Sequence, residues 1–151
     1  MKRLIGFSLL LVIVFCLTIP VYSSRTDYKN IRYLDFDGDL ADEIIIESRH
    51  GAGLGHYIES MRIYKDSYPQ LDLIFSIRTL DSYSGFKPPN NFDIVSGVKF
   101  TEQTPENKGI RDIIVTTKKI YFKDDDNKII DKEEDLGVKV FKWNGKSYVE
   151  K

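Results

Sequence analysis

The stretch YLDFDGDLADEIII, residues 33–46, decides the fold of this chain. It begins at the end of an apolar segment and finishes with three consecutive isoleucines, and both ends are typical of β-strands. Between them lie aspartates and a glycine, residue types that favour tight turns. The stretch therefore predicts a strand, an acidic turn and a second strand. The adjacent isoleucines predict that the second strand is covered on both faces.

Short β-branched and aromatic segments continue along the rest of the chain, with turn residues between them. No stretch of ten or more residues has the apolar period of a helix, and Asn144-Gly145 predicts a tight hairpin. The pattern predicts an all-β fold, either a compact antiparallel sandwich or a pair of blade-like sheets. Strands are predicted at 30–35, 43–49, 56–65, 71–79, 93–101, 111–118, 119–123, 137–143 and 147–150, with loops at 50–55, 81–92, 102–110 and 124–136.

The amino-terminal segment predicts export. A basic start precedes an apolar run over residues 4–19, and small residues follow near Ser23. This is the pattern of a secretory signal peptide, so we expect residues 1–23 to be removed. Residues 24–151 then form a single β-rich domain with no stable membrane span. An uncleaved anchor is the alternative, although the run would give only about 24 Å of helix against a ~30 Å hydrocarbon core.

The composition argues against several classes of function. The only cysteine is Cys16, and it would be lost with the signal peptide, which leaves no disulfide and no thiol chemistry. A lipoprotein is the alternative, but Phe15 stands where a lipid-attachment signal needs a small residue. The formal charge of the chain is −1, and it becomes −3 without the two basic residues of the leader. Such a mild charge argues against a nucleic-acid partner, which favours a basic face.

The acidic turn has the spacing of a calcium loop. Asp35, Asp37 and Asp39 alternate along a tight turn, so their carboxylates can point at one centre, and Glu43 follows four residues later. The backbone carbonyl of Ala41 can add a further oxygen. Calcium accepts about six to eight oxygen ligands in an irregular cage, whereas magnesium demands a stricter octahedron. Four carboxylates this close repel one another without a cation. The sequence therefore predicts calcium bound within residues 35–43.

The loop is not an EF-hand, because Leu40 and Ile46 stand where that motif needs glycine and glutamate. Residues 33–46 instead resemble the loop signature of FG-GAP/VCBS-type repeats, here as a single Asp-x-Asp-Gly-Asp loop, and Phe141–Tyr148 resembles the hairpin that often closes small exported proteins of this group. The resemblance implies β-propeller-like blades with calcium between two strands, held by the same five residues. The family often has glycine at the position of Leu40. The chain is too short for a full propeller of at least four blades.

A faint internal repeat accompanies this loop. Residues 42–47 resemble residues 111–116, and each segment follows a polar loop. Chance similarity between two buried strands is the alternative. Aligning Asp112 with Glu43 places Thr104, Glu106 and Lys108 at the positions of the three aspartates. Since Lys108 puts a cation where a ligand should be, we expect the second loop to bind no metal.

These features predict a calcium-stabilised, exported binding or structural module in the cell envelope or outside the cell, acting through protein or glycan contacts. The alternative is a secreted hydrolase that uses carboxylates. The sequence lacks a Gly-x-Ser-x-Gly elbow, and no nucleophilic cysteine survives processing, so we expect no enzymatic activity. The loop at 81–91 is a candidate partner-binding segment, because rigid rings lose little entropy on contact. In the alternative, Tyr83 and Phe86 fold back onto the core.

Overall fold

The computed structural model describes residues 26–53, 55–88 and 90–151. The predicted signal peptide at 1–23, including Cys16, lies outside the described residues. Within these ranges, no helix is long and apolar enough to cross a membrane. The only helical element described is a 3₁₀ turn at Pro105–Asn107. The strands are β1 Thr26–Leu34, β2 Glu43–Gly53, β3 His56–Ser67, β4 Gln70–Tyr83, β5 Phe92–Phe100, β6 Ile113–Phe122, β7 Ile130–Trp143 and β8 Tyr148–Glu150.

The eight strands form one open sheet in the order of the sequence, and every neighbouring pair is antiparallel. The predicted all-β, antiparallel fold is confirmed. The sheet is continuous because β4 pairs with β5, but only Leu80–Tyr83 take part, opposite Phe92–Val95. This short joint divides the sheet into two four-stranded halves, β1–β4 and β5–β8.

The two halves share one hydrophobic core. Ile45 and Ile63 from the first half are fully buried together with Ile113 from the second. The rings of Phe75 and Phe141 meet edge to face, with centroids 5.1 Å apart. Burying a large apolar side chain contributes about 1.5–3 kcal/mol. Contact between the halves therefore stabilises the fold.

The predicted boundaries are wrong at two places in the second half. Residues 111–118 and 119–123 are not separate strands, because β6 runs without interruption through Phe122. The predicted loop at 124–136 is shorter, because β7 already begins at Ile130. The first half of β7 is exposed and carries charged side chains, so it lacks an apolar pattern. Its place in the sheet comes from pairing with β6, including an ion pair of 2.7 Å between Lys118 and Glu133.

Candidate metal centre

The loop between β1 and β2 carries the predicted metal ligands. Its aspartates first hold the loop itself, because side chains of this type accept hydrogen bonds from nearby backbone N–H groups. Asp35 Oδ1 accepts from the backbone N–H of Gly38 at 2.8 Å, and Asp39 Oδ1 accepts from that of Ala41 at 2.9 Å. Gly38 has a φ of 79°, a conformation that only glycine adopts at no steric cost.

Three of the predicted side-chain ligands come together. One carboxylate oxygen from each of Asp35, Asp37 and Asp39 lies within 4.8 Å of the other two. Glu43 is outside this group of three, although it borders the same site. The backbone of Ala41 is part of the loop and donates its N–H to Asp39. We call Asp35, Asp37 and Asp39 the acidic triad.

Glu43 is a buried carboxylate at the start of β2. Only 1% of its surface is exposed, and its Oε2 accepts a hydrogen bond of 2.7 Å from the backbone N–H of Phe36. Burial raises the pKa of Glu43, and the hydrogen bond from Phe36 opposes that rise. Phe36 is itself fully buried and contacts Phe100 and Tyr148 edge to face. Glu43 thus ties the acidic turn to the core.

Lys65, near the end of β3, is the residue that sequence reasoning missed. Its Nζ donates to Asp37 Oδ2 and, at 2.7 Å, to Asp39 Oδ2, and it lies 3.8 Å from Glu43 Oε1. Partial burial alone would lower the pKa of Lys65, but the hydrogen bonds to both aspartates outweigh this and raise it. The hydrogen bond from Lys65 to Asp39 also lowers the pKa of Asp39. The repulsion between these carboxylates was the reason to expect a metal ion. The ammonium group of Lys65 offsets at least part of that repulsion.

A signal for Lys65 exists in the sequence, but it depends on knowing the register of β2 and β3. Met61, Ile63 and Lys65 alternate along β3 and so share one face of the sheet. The pairing of Ile44 with Tyr64 places Lys65 beside Glu43. The glycine-rich end of β2 and the short turn before β3 set this register, and the sequence alone does not specify how these glycines pair.

One buried oxygen of the triad has no partner among the described residues. The Asp37 side chain is only 6% exposed, and its Oδ1 is buried with no hydrogen bond from the described residues. A buried acceptor without a donor costs about 1–3 kcal/mol, and more for a charged group. Such an atom calls for a further ligand, such as a water molecule or a metal ion.

The acidic turn packs against the second loop, between β5 and β6. A Cβ atom on Gly38 would approach the carbonyl oxygen of Lys108 to 2.6 Å, so the two backbones are in direct contact. The backbone N–H of Arg111 donates to the carbonyl of Phe36 at 2.8 Å. The hydroxyl of Tyr148 bridges the two loops through the carbonyls of Phe36 and Arg111. The loops related by the sequence repeat are therefore neighbours.

The second loop is organised without a carboxylate triad of its own. Thr104 caps the 3₁₀ turn, and its side chain and that of Asn107 each accept from the other's backbone N–H. Lys108 is exposed, with a φ of 56°. Asp112, aligned with Glu43, instead forms an ion pair of 2.8 Å with Lys142.

Leu40 stands where the loops that residues 33–46 resemble often have glycine, and its backbone conformation is strained. Its φ is 69°, in the left-handed region, and 94% of its surface is exposed. A residue with a Cβ atom costs about 1–2 kcal/mol there. Leu40→Gly removes that cost, offset by roughly 0.5–1 kcal/mol for the greater flexibility of glycine in the unfolded chain. We expect a net gain of about 0.5–1 kcal/mol in the free energy of unfolding.

Thermal unfolding of Leu40→Gly beside Leu40→Ala measures this gain. Alanine keeps the Cβ atom and therefore the strain, so its melting temperature should stay near that of the parent chain. Equal melting temperatures for the glycine and alanine variants would show that the left-handed conformation costs no more than the flexibility that glycine adds to the unfolded chain.

The opposite end of the sheet carries the predicted partner-binding segment at 81–91, of which residues 81–83 belong to β4. Tyr83 folds back, since its ring lies between His56 and Phe92 with centroids 4.3 and 4.7 Å away. Phe86 remains 38% exposed and lines a recess of about 660 Å³. His56 begins β3, is partly buried and contacts Asp81 at 2.7 Å through Nε2.

No family model matches the chain, and no curated protein or solved structure shows significant similarity to it. The resemblance of residues 33–46 to FG-GAP/VCBS-type repeats therefore stays a prediction. A group of three aspartates does not by itself indicate a family, because acidic clusters are common without a metal ion.

Proposed function

We propose that this chain is an exported, calcium-stabilised binding or structural module. The observation that carries the calcium proposal is Asp37 Oδ1, a buried acceptor without a partner inside a group of three carboxylates. Hard oxygen donors in a flexible loop suit calcium better than the octahedral magnesium site. Asp35, Asp37 and Asp39 would hold the ion, with Glu43 and the Ala41 carbonyl as further oxygens.

Lys65 makes the proposed binding weak. It engages Asp37 Oδ2 and Asp39 Oδ2, two oxygens of the triad, so calcium must compete with an ammonium group that is already in place. Extracellular calcium modules commonly have dissociation constants of about 10⁻⁴–10⁻³ M. With ~1 mM calcium and a dissociation constant of ~0.1 mM, binding stabilises the folded state by about 1.4 kcal/mol. The ion would then stabilise the loop that joins β1 to β2.

Melting curves in millimolar calcium and in chelator test this proposal. We expect the chelator to lower the melting temperature of the parent chain by a few degrees. Asp37→Asn should abolish the calcium-dependent shift, whatever its own stability. The matched control is Asp126→Asn, in the exposed β6–β7 turn, where the side chain pairs with Lys128 and with no other described residue. Identical curves in calcium and chelator contradict the proposal, and an equal shift in magnesium contradicts the choice of metal.

Export and partner contacts complete the proposed function. The basic, apolar and small-residue pattern of residues 1–23 supports export. An exposed phenylalanine on the rim of a recess supports contacts with a protein or a glycan. Cell fractionation tests the location, and a pull-down from envelope extract, with and without calcium, tests the contacts. Retention of the protein in the cytosolic fraction would contradict export.

A carboxylate hydrolase is the second candidate, and the raised pKa of Glu43 is the observation that favours it. A general acid must reach its substrate. Glu43 is only 1% exposed, and its Oε2 accepts the backbone N–H of Phe36. We therefore assign Glu43 to the support of the acidic turn rather than to catalysis.

A further inference from the structure

A polar pocket lies on the face of the first half that points away from the shared core. It has a volume of about 300 Å³, and Ile58 forms part of its wall. The strand register builds it from two rows of side chains, one with Thr26 beside His50 and the other with Ser60 between Ser48 and Arg78. Its polar lining consists of Thr26, Ser48, His50, Ser60, Arg62 and Arg78.

The alternation of side chains along β2 and β3 places two nearby carboxylates on the face opposite the pocket. Glu47 and Glu59 neighbour Ser48 and Ser60 in sequence, and so point to the opposite face. There they are neutralised, Glu47 by Arg32 at 2.7 Å and Glu59 by two other basic side chains. None of the described residues that line the pocket is a carboxylate. The pocket face therefore presents guanidinium and hydroxyl donors.

These donors are largely unused. Among the residues that the structure describes, the Arg62 guanidinium has no ion-pair or hydrogen-bond partner. Ser48 is only 5% exposed, and its hydroxyl likewise has no partner in the described ranges. Arg78 uses one N–H for Asp81 Oδ2, at 3.1 Å, and His56 contacts the other oxygen of Asp81. Arginine carries five donors, so Arg78 is held in place and still has donors to offer.

We infer that this pocket binds a tetrahedral oxyanion, either phosphate or sulfate, free or carried as an ester. A guanidinium group matches two oxygens of such an anion at once, which lysine cannot do. Arg62 and Arg78 supply the positive charge, and the hydroxyls of Ser48, Ser60 and Thr26 supply further donors. The inference is independent of the calcium proposal, because the pocket and the acidic triad share no residue.

Titration of the full-length chain with sodium phosphate, followed by amide NMR shifts, tests the inference. Ionic strength is held constant with chloride, and parallel titrations use sulfate, methyl phosphate and acetate. We expect saturable shifts centred on residues 48, 60 and 62 with phosphate and sulfate. Arg62→Gln should weaken phosphate binding about tenfold or more, since hydrogen bonds to charged groups contribute strongly. Methyl phosphate binding as well as free phosphate supports an esterified ligand, and its exclusion supports a free anion.

Two further variants separate binding from folding and from general charge. Ser48→Ala removes one hydroxyl in a buried position and should weaken phosphate binding several-fold, so it serves if Arg62→Gln does not fold. Arg32→Gln removes the same charge from the opposite face and should leave phosphate binding unchanged. The inference is overturned if shifts do not saturate, if acetate binds as well as phosphate, or if Arg32→Gln weakens binding as much as Arg62→Gln.

Discussion

Gly38→Ala is expected to lower the free energy of unfolding by about 3 kcal/mol, from two sources. The φ of 79° at Gly38 costs a residue with a Cβ atom about 1–2 kcal/mol. The new Cβ atom would also lie 2.6 Å from the carbonyl oxygen of Lys108 and 3.1 Å from the carbonyl carbon of Gly109. Both neighbours are backbone atoms, so one loop must move, and overpacking of this kind costs about 1–3 kcal/mol.

Urea unfolding of Gly38→Ala measures the sum of both effects, and Gly85→Ala separates them. Gly85 has a φ of 78°, nearly the same as that of Gly38, yet a Cβ atom there would meet nothing within 4 Å. Gly85→Ala should therefore lose only the 1–2 kcal/mol that comes from backbone conformation. Equal losses for the two variants would show that the contact between the two loops is not tight.

The acidic turn is part of the contact between the two halves of the sheet. The carbonyl of Phe36 accepts hydrogen bonds from the backbone of Arg111 and the hydroxyl of Tyr148, while its N–H donates to Glu43. Movement of either loop disturbs the hydrogen bond from Arg111, and movement of the acidic turn disturbs all three. Gly38→Ala should therefore also weaken calcium binding, although it removes no proposed ligand.

Most of the local chemistry of the acidic turn could be predicted from the sequence. Alternating aspartates around Gly38 indicated that three carboxylates share one turn, and the structure brings Asp35, Asp37 and Asp39 together. Such an arrangement follows from chain geometry within a few residues. Lys65 could not be predicted in the same way, because it lies 28 residues from Asp37 and reaches it only through the register of β2 and β3.

The wrongly predicted strand and loop boundaries in the second half have the same physical origin, which is pairing between strands. Ile113 and Val115 are buried, and their apolar pattern predicted a strand. Residues 130–136 are exposed and largely polar, so their pattern predicted a loop, and only pairing with β6 makes them part of a strand. The strength of pairing between strands depends on neighbours and burial more than on intrinsic preference. Polar strand segments are therefore visible only once the sheet is known.

Lys65→Met is expected to lower the free energy of unfolding in chelator by about 2–3 kcal/mol. Removing one partner of a buried ion pair costs about 3–5 kcal/mol, and the 26% exposure of Lys65 reduces that figure. Asp37, only 6% exposed, would lose its cation while remaining close to Asp35 and Asp39. The unbalanced repulsion then falls on the loop that joins β1 to β2.

Calcium should reverse most of this loss, because a divalent ion can replace the missing ammonium group. If calcium and Lys65 compete for Asp37 and Asp39, the variant should bind calcium about tenfold more tightly or better, which corresponds to at least about 1.4 kcal/mol of recovered stability. Melting curves across a calcium titration measure both quantities. The matched control is Lys142→Met, which removes a lysine paired with Asp112 at the second loop. It makes the same change in net charge.

The two lysine variants together separate a metal loop from a simple ion-pair cluster. Of these two lysines, only Lys65 pairs with carboxylates of the acidic triad, whereas Lys142 pairs with Asp112. Only Lys65→Met should therefore make stability strongly dependent on calcium, while Lys142→Met should respond to calcium like the parent chain. A calcium response that is equally enlarged in both variants reflects net charge alone. No calcium response in either variant would leave Lys65 as the permanent counter-ion of the triad, and the acidic turn would then be a structural ion-pair network.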